Sequence, residues 1–235
     1  MNTQTDTPIV QLKEVSKTYQ QGKIDVKAVD RFSLDIQRGD FAALCGPSGS
    51  GKTSVLNLIG GLDVPSAGEV WVDQINLASL SASALSNVRK NRIGFVFQAY
   101  NLIPVMTAYE NAEFVLNLQG VDESECHDRV MAILKDVGLE GLEKRRPDEM
   151  SGGQQQRVAI ARAIVTEPAI ILADEPTANV DSHTAESLLD LMQQLNQEKG
   201  ITFLFSTHDQ HVMDRAKRLI RLLDGQLDED EIRRA

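Results

Sequence analysis

Phe41-Ala42-Ala43-Leu44-Cys45-Gly46-Pro47-Ser48-Gly49-Ser50-Gly51-Lys52-Thr53-Ser54 is the stretch that decides the fold of this 235-residue chain. Its first five residues form a continuous apolar run, as expected of a strand buried on both faces. Gly46 to Thr53 then match G-x-x-x-x-G-K-S/T in full, and the residues from 52 to 59 have helical character. A strand entering and a helix leaving is the context that this phosphate-binding loop requires. The glycines let successive backbone N–H groups turn inward without Cβ clashes, so the loop forms an anion nest at a helix N-terminus. Lys52 would reach the β- and γ-phosphates of a nucleotide, and the Thr53 hydroxyl would ligate Mg²⁺.

Such a loop needs a carboxylate on a second strand to hold the metal. Ala169-Ile170-Ile171-Leu172-Ala173-Asp174-Glu175 supplies one, with Asp174 at the strand's C-terminal end, where ligands bind in open α/β sheets. Glu175, one residue on, is placed to orient or deprotonate an attacking water. No other acidic pair in the chain follows so apolar a run.

Outward from these two motifs, strand and helix patterns alternate. Strands are expected over 9–12, 26–29, 32–36, 68–72, 93–97 and 201–205, with an edge hairpin from 218 around Asp224-Gly225. Helices are expected over 107–118, 123–137, 151–165 and 182–197, the second started by Asp122 and stopped by Gly138. The alternation predicts an α/β fold, a parallel sheet covered by helices, interrupted by a helical insertion in the middle. One domain over 1–235 is expected, with a core of about 1–97 and 157–235 and a helical subdomain of about 98–156. The polar start (1–6) reads as a loose tail, and Asp228-Glu229-Asp230-Glu231 as a short solvated acidic tail.

Composition excludes several classes. A net charge of −10 argues against sequence-independent nucleic-acid binding, which needs Lys and Arg over phosphates. It does not oppose a small phosphate ligand, since local geometry can run against the global sign. No apolar run is long enough to span a bilayer, and no secretory leader is expected. Cys45 and Cys126 form no metal spacing and are expected to be reduced thiols. His208 with His211 is a weak metal pair, and His127 and His183 fall on exposed helical positions.

Ser151-Gly152-Gly153-Gln154-Gln155-Gln156 opens a helical pattern, and its two glycines would let a helix N-terminus approach an anion closely. The chain already has one phosphate cradle, so a second anion site suggests that it serves another molecule's nucleotide. Gln156 reads as ordinary helix surface. Arg157 and Arg162 read as parts of a structural helix packed on the core.

With these ordered motifs the chain resembles the ATP-binding cassette (ABC) ATPases over its whole length. The resemblance implies a RecA-like P-loop NTPase core with an antiparallel β subdomain and a helical subdomain inserted after the Q-loop. It implies an ATPase with ATP and Mg²⁺ as ligands. Gly46, Pro47, Ser48, Gly49, Ser50, Gly51, Lys52, Thr53 and Ser54 would bind ATP, and Tyr19 would stack on adenine; the bland reading of Tyr19 is a half-buried strand-end aromatic. Gln98 matches the Q-loop glutamine that contacts the metal or water, so Thr53, Gln98 and Asp174 would hold Mg²⁺. Glu175, His208 and Gln98 would serve catalysis. Ser151, Gly152, Gly153 and Gln154 would contact the ATP of a second copy, and Asp181, in Ala178-Asn179-Val180-Asp181, would meet that copy. Met150 and Val180 stand where the family usually has Leu, and neither change removes a catalytic group.

Gly60-Gly61-Leu62-Asp63, Phe97-Gln98-Ala99-Tyr100-Asn101-Leu102-Ile103-Pro104 and Arg145-Arg146-Pro147 are similar to the branch of lipoprotein-release and macrolide-export ATPases. That branch implies a head-to-tail dimer driving an integral membrane permease on a separate chain, with the ATPase peripheral on the cytoplasmic face of the bacterial inner membrane. The same branch contains a cell-division member that regulates a membrane partner without transport, and this is the alternative function. A soluble ABC ATPase acting on ribosomes or DNA is a third, disfavoured by the acidic balance.

Overall fold

The computed structural model describes residues 7–22 and 24–233, so the expected N-terminal tail lies outside the described residues. The chain opens with a long antiparallel pair, β1 (Val10–Gln21) and β2 (Ile24–Ile36). The two strands read as separate in 24–36 are one, because irregularities in the β1–β2 register bend the strand without ending it. β3 (Phe41–Cys45) follows, then α1 (Lys52–Ile59), β4 (Ala67–Val72) and the short β5 (Ile75–Asn76). Strands β2-β1-β4-β5 form a four-stranded antiparallel sheet.

Next come α2 (Ala82–Arg92) and β6 (Ile93–Phe97). Sequence pattern gave no expectation for α2. Ser81 caps it, but only Leu85 and Val88 are buried, too few to mark an apolar stripe. The helical region holds α3 (Ala108–Gln119), α4 (Glu123–Asp136) and α5 (Gly152–Ile164). α3 starts with a capping box between Thr107 and Glu110, whereas Asp122 precedes α4 without a side-chain cap bond.

The chain then returns to the core through β7 (Ile170–Asp174), α6 (Ser182–Lys199), β8 (Phe203–Ser206), α7 (Gln210–Arg215), β9 (Arg218–Leu223) and β10 (Gln226–Ile232). These give a six-stranded sheet ordered β10-β9-β3-β8-β7-β6. Only the β9–β10 edge is antiparallel; the other pairs are parallel. The acidic 228–231 stretch is therefore a correction: it is part of strand β10 and not a free tail. Its side chains are exposed or half-exposed, but backbone pairing and the bonds Arg218–Asp230 (2.7 Å) and Arg221–Glu229 (3.0 Å) hold it to β9.

The six-stranded sheet is buried on both faces, and alternation along β3 shows why. Phe41, Ala43 and Cys45 point into a core shared with α3 to α6, while Ala42 and Leu44 point into a second core with α1, α2 and the antiparallel sheet. An apolar run without polar interruptions is what that position demands. Cys45 and Cys126 are both buried and free. Among the described residues no helix is long and apolar enough to cross a membrane.

Candidate functional site

The C-terminal ends of β3, β7 and β8 meet at one rim of the sheet. The loop from Gly46 to Gly51 leaves β3 there and wraps the N-terminus of α1. Gly51 is in the left-handed region (φ 104°), and a Cβ on it would sit 2.4 Å from the Ala28 carbonyl oxygen. No other residue fits. The loop is braced from outside by the β9–β10 turn, where the Gly225 N–H donates to the Ser50 carbonyl (2.9 Å) and the Gly225 carbonyl accepts from the Asp30 N–H (2.9 Å).

Lys52 lies in the first turn of α1, only 8% exposed, with its ammonium donating to the Gly46 (2.8 Å) and Pro47 (3.0 Å) carbonyls. Two of its three protons are thus spent on the loop, and one is left for a ligand. Thr53 Oγ1 faces Asp174 Oδ1 at 3.5 Å, setting two hard oxygen donors side by side across the α1–β7 gap. Such a pair suits Mg²⁺. Among the described residues no group of three or more His, Cys, Asp or Glu side chains is placed for a metal, so any ion here needs Thr53 or an amide oxygen as ligand.

Glu175 follows Asp174 in a left-handed conformation, φ 46°, unusual for a non-glycine residue. Its carboxylate is held from two sides: His208 Nδ1 lies 2.6 Å from Oε1, and the Thr207 hydroxyl donates to Oε2 at 3.2 Å. Thr207 is fully buried, and its oxygen accepts from the Asp209 N–H at 3.0 Å, so its one proton is committed to Glu175. Sequence reading missed Thr207. A cavity of about 540 Å³ opens here, lined by Ala28, Ser48, Gly49, Gly51, Lys52, Thr53, Ser54, Gln98, Glu175, Ser206 and His208.

Tyr19 is not among the lining residues but touches Ser54, which is. Its hydroxyl donates to Asp63 Oδ2 (2.8 Å) and lies 3.5 Å from Ser54 Oγ, while the Lys17 ammonium stands 5.0 Å from the ring centroid. Burial, with Asp63 alongside, raises the Tyr19 pKa. Burial alone would also raise Asp63, but bonds from Lys17, Tyr19 and the Val64 N–H outweigh it and hold the carboxyl below its ordinary value.

Ser151, Gly152, Gly153 and Gln154 lie at the start of α5 and do not line the cavity. Ser151 caps the helix: its Oγ accepts from the Gln154 N–H (3.3 Å), and Gln154 Oε1 accepts from the Ser151 N–H (3.0 Å). A Cβ on Gly152 would meet the Tyr100 hydroxyl, the far end of a side chain, at 2.8 Å. Asp181 caps α6 through the Thr184 N–H (3.0 Å) and hydroxyl (2.6 Å), bonds that lower its pKa.

Gln156 is a second correction. It is fully buried, not helix surface, and its Nε2 donates to the Pro176 carbonyl at 2.7 Å. The signal was available: Gln156, Ala159, Ile160, Ala163 and Ile164 recur at helical spacing along the buried stripe of α5. Replacing Gln156 with Leu is expected to cost about 1 kcal/mol of unfolding free energy, because the buried Pro176 carbonyl loses its partner while the unpartnered buried Gln156 Oε1 is removed with it. Urea unfolding measures it, and an unchanged midpoint refutes that role. Arg162, also read as merely structural, grips the Tyr100 (2.9 Å) and Asn101 (2.6 Å) carbonyls, two residues in left-handed conformation.

Comparison with known proteins accounts for this arrangement. The sequence pattern described as ABC transporter matches residues 29–178. The chain belongs to the ABC transporter family. The cassette is 43% identical over 227 residues to the uncharacterized ABC transporter ATP-binding protein MJ0796 of Methanocaldococcus jannaschii, covering 95% of this chain and 97% of that one. It is 43% identical to the lipoprotein-releasing system ATP-binding protein LolD of Anaeromyxobacter dehalogenans, covering 94% and 93%. Against the macrolide export ATP-binding/permease protein MacB of Syntrophobacter fumaroxidans it is 42% identical, covering 92% of this chain but 31% of that one. The solved dimer of MJ0796 in a post-hydrolysis state bound to ADP and Pi superposes with a TM-score of 0.87, at 43% identity, covering 96% of this chain and 99% of that one. The expected P-loop core with its antiparallel and helical parts is therefore the fold observed. The cassette is an ATP-binding ATPase matching the lipoprotein-release and macrolide-export branch.

Proposed function

We propose that two copies of the cassette pair head to tail, each ATP lying between one copy's phosphate loop and the other's Ser151-Gly152-Gly153-Gln154. The observation that carries this reading is the separation within one chain: the glycine-bearing α5 N-terminus contributes nothing to the cavity around Lys52. Asp181, at the exposed start of α6, meets the partner copy. The related dimer bound to ADP and Pi supports the pairing.

Within each site Lys52 and the loop amides bind the β- and γ-phosphates, and Tyr19 stacks on adenine. Thr53, Asp174 and Gln98 would hold Mg²⁺, which when bound neutralises charge on the phosphate oxygens. Glu175 orients the attacking water and takes its proton, held by Thr207 and His208, and His208 steadies the γ-phosphate.

The motion passes through the region after Gln98 to an integral membrane permease on a separate chain, with the cassette peripheral on the cytoplasmic face of the membrane. An apolar groove of about 430 Å³ supports this, lined by Leu62, Phe95, Phe97, Ile103, Phe114 and Val115 among others. The likeness to LolD and MacB supports a lipoprotein-release or macrolide-export type of work across the membrane.

Ser151→Asp tests the pairing. Asp keeps the N-cap, so the helix persists, but it sets a negative charge against the partner's γ-phosphate. The variant is expected to bind ATP as a monomer with wild-type affinity while ATP-induced dimerisation and turnover collapse. Loss of monomer binding refutes a site completed by the second copy.

A further inference from the structure

A lysine, a tyrosine and an aspartate meet beside the phosphate loop, outside the cavity around Lys52. Lys17 and Tyr19 come from β1, and Asp63 from the turn that follows α1. Asp63 is the hub. Its Oδ1 accepts from the Lys17 ammonium at 2.5 Å, and its Oδ2 from the Tyr19 hydroxyl at 2.8 Å. The Val64 N–H donates to Oδ1 at 2.7 Å, and the Val64 carbonyl takes a second Lys17 proton at 2.8 Å. The same ammonium stands 5.0 Å from the centroid of the Tyr19 ring, within range of cation–π attraction. The Lys17 side chain is only 13% exposed, so this pairing is partly shielded from water.

The cluster is fastened to the phosphate loop through α1. The Leu62 and Asp63 N–H groups both donate to the Asn57 carbonyl, at 2.9 and 3.2 Å. The Tyr19 hydroxyl also lies 3.5 Å from Oγ of Ser54, a residue that lines the cavity. The ring is therefore held by its hydroxyl at one end and by an ammonium over one face. A planar ring has two faces, and only the one away from Lys17 is left for a stacked base. We propose that Lys17 and Asp63 are positioning residues for the nucleobase: they fix the height and tilt of the Tyr19 ring, so that one face is ready for a purine. The proposal rests on the reading of Tyr19 as the residue that stacks on adenine. Its energetic basis is pre-organisation, since a ring ordered before binding loses less rotamer freedom when the base arrives.

The test separates the nucleoside from the phosphates. Calorimetric titration of the full chain measures the dissociation constants of ADP and of inorganic pyrophosphate, which carries two phosphates without base or sugar. The ratio of the two, pyrophosphate over ADP, reports what the nucleoside adds. Tyr19→Ala is expected to lower that ratio about 5- to 150-fold, the range for loss of one base–aromatic stack. Lys17→Met keeps the stem and removes the charge, and is expected to lower it about threefold to tenfold. Asp63→Asn keeps an acceptor for the tyrosine but discards the charge that holds Lys17, and is expected to lower it to a similar extent. Lys17→Arg keeps a cation that can pair with Asp63 and lie on the ring, and is expected to restore the ratio.

Pyrophosphate affinity is expected to stay within about twofold of the wild type in every variant, which also shows that the phosphate loop remains folded. Lys17→Met added to Tyr19→Ala is expected to change nothing further, because Lys17 acts through the ring. A ratio unchanged in both Lys17→Met and Asp63→Asn overturns the proposal. So does a fall in pyrophosphate affinity equal to the fall for ADP, which would make Lys17 an electrostatic partner of the phosphates. Those two outcomes leave the stacking role standing if Tyr19→Ala still lowers the ratio. An unchanged ratio in Tyr19→Ala removes the stacking role and the proposal together.

Discussion

Glu175→Gln is expected to lower ATP turnover about 10²- to 10⁴-fold, the range lost when a general base is removed, while leaving ATP binding intact or tighter. The side chain keeps its size, and the amide can still meet Thr207 and His208, so the rim of the cavity should hold its shape. The change removes one negative charge that faces the incoming γ-phosphate, and it removes the proton acceptor. Binding therefore does not suffer, but the bound nucleotide is no longer consumed. In the head-to-tail reading this traps the paired state, and size-exclusion chromatography with ATP and Mg²⁺ should show a stable dimer that the wild type forms only in passing. Turnover at the wild-type rate would remove Glu175 from the base role and shift attention to His208.

Lys52→Ala is expected to weaken ATP binding by about 10- to 150-fold, the loss of one charge-assisted phosphate bond in a confined site. Two effects are mixed in that change. Lys52 is nearly buried, and its ammonium also fastens the Gly46 and Pro47 carbonyls, so alanine removes packing and loop bonds together with the charge. Lys52→Met isolates the packing share, because methionine refills the volume of the stem but restores neither the charge nor the loop bonds. Equal losses in the two variants assign the effect to the ammonium. ATP affinity unchanged in both would refute the phosphate-loop assignment. Calorimetric titration reads each case directly.

Much of the fold was legible because its decisive elements are local. Phe41 to Thr53 and Ile170 to Glu175 each carry their own context, an apolar run ending in a turn and then a charged or glycine-rich stretch, and no distant residue is needed to interpret them. α2 was not legible, because a helix held by a capping serine and two buried side chains leaves almost no periodic signal. The acidic 228–231 stretch misled for the opposite reason: its composition is that of solvated chain, and only the neighbouring strand makes it part of a sheet.

The sequence by itself determined the phosphate loop, the acidic pair at the end of β7 and the order of most strands and helices, since each is written in contiguous residues. Only the tertiary structure decided that Gln156 donates to the Pro176 carbonyl, that Thr207 spends its proton on Glu175, and that Asn179 bonds to Gln98. Each of those is a contact between residues 20 to 81 positions apart, or the local accident of a hydroxyl with one proton to give. Hydrogen-bond partners are chosen by where the chain brings groups together in space, and residue type alone does not disclose that choice.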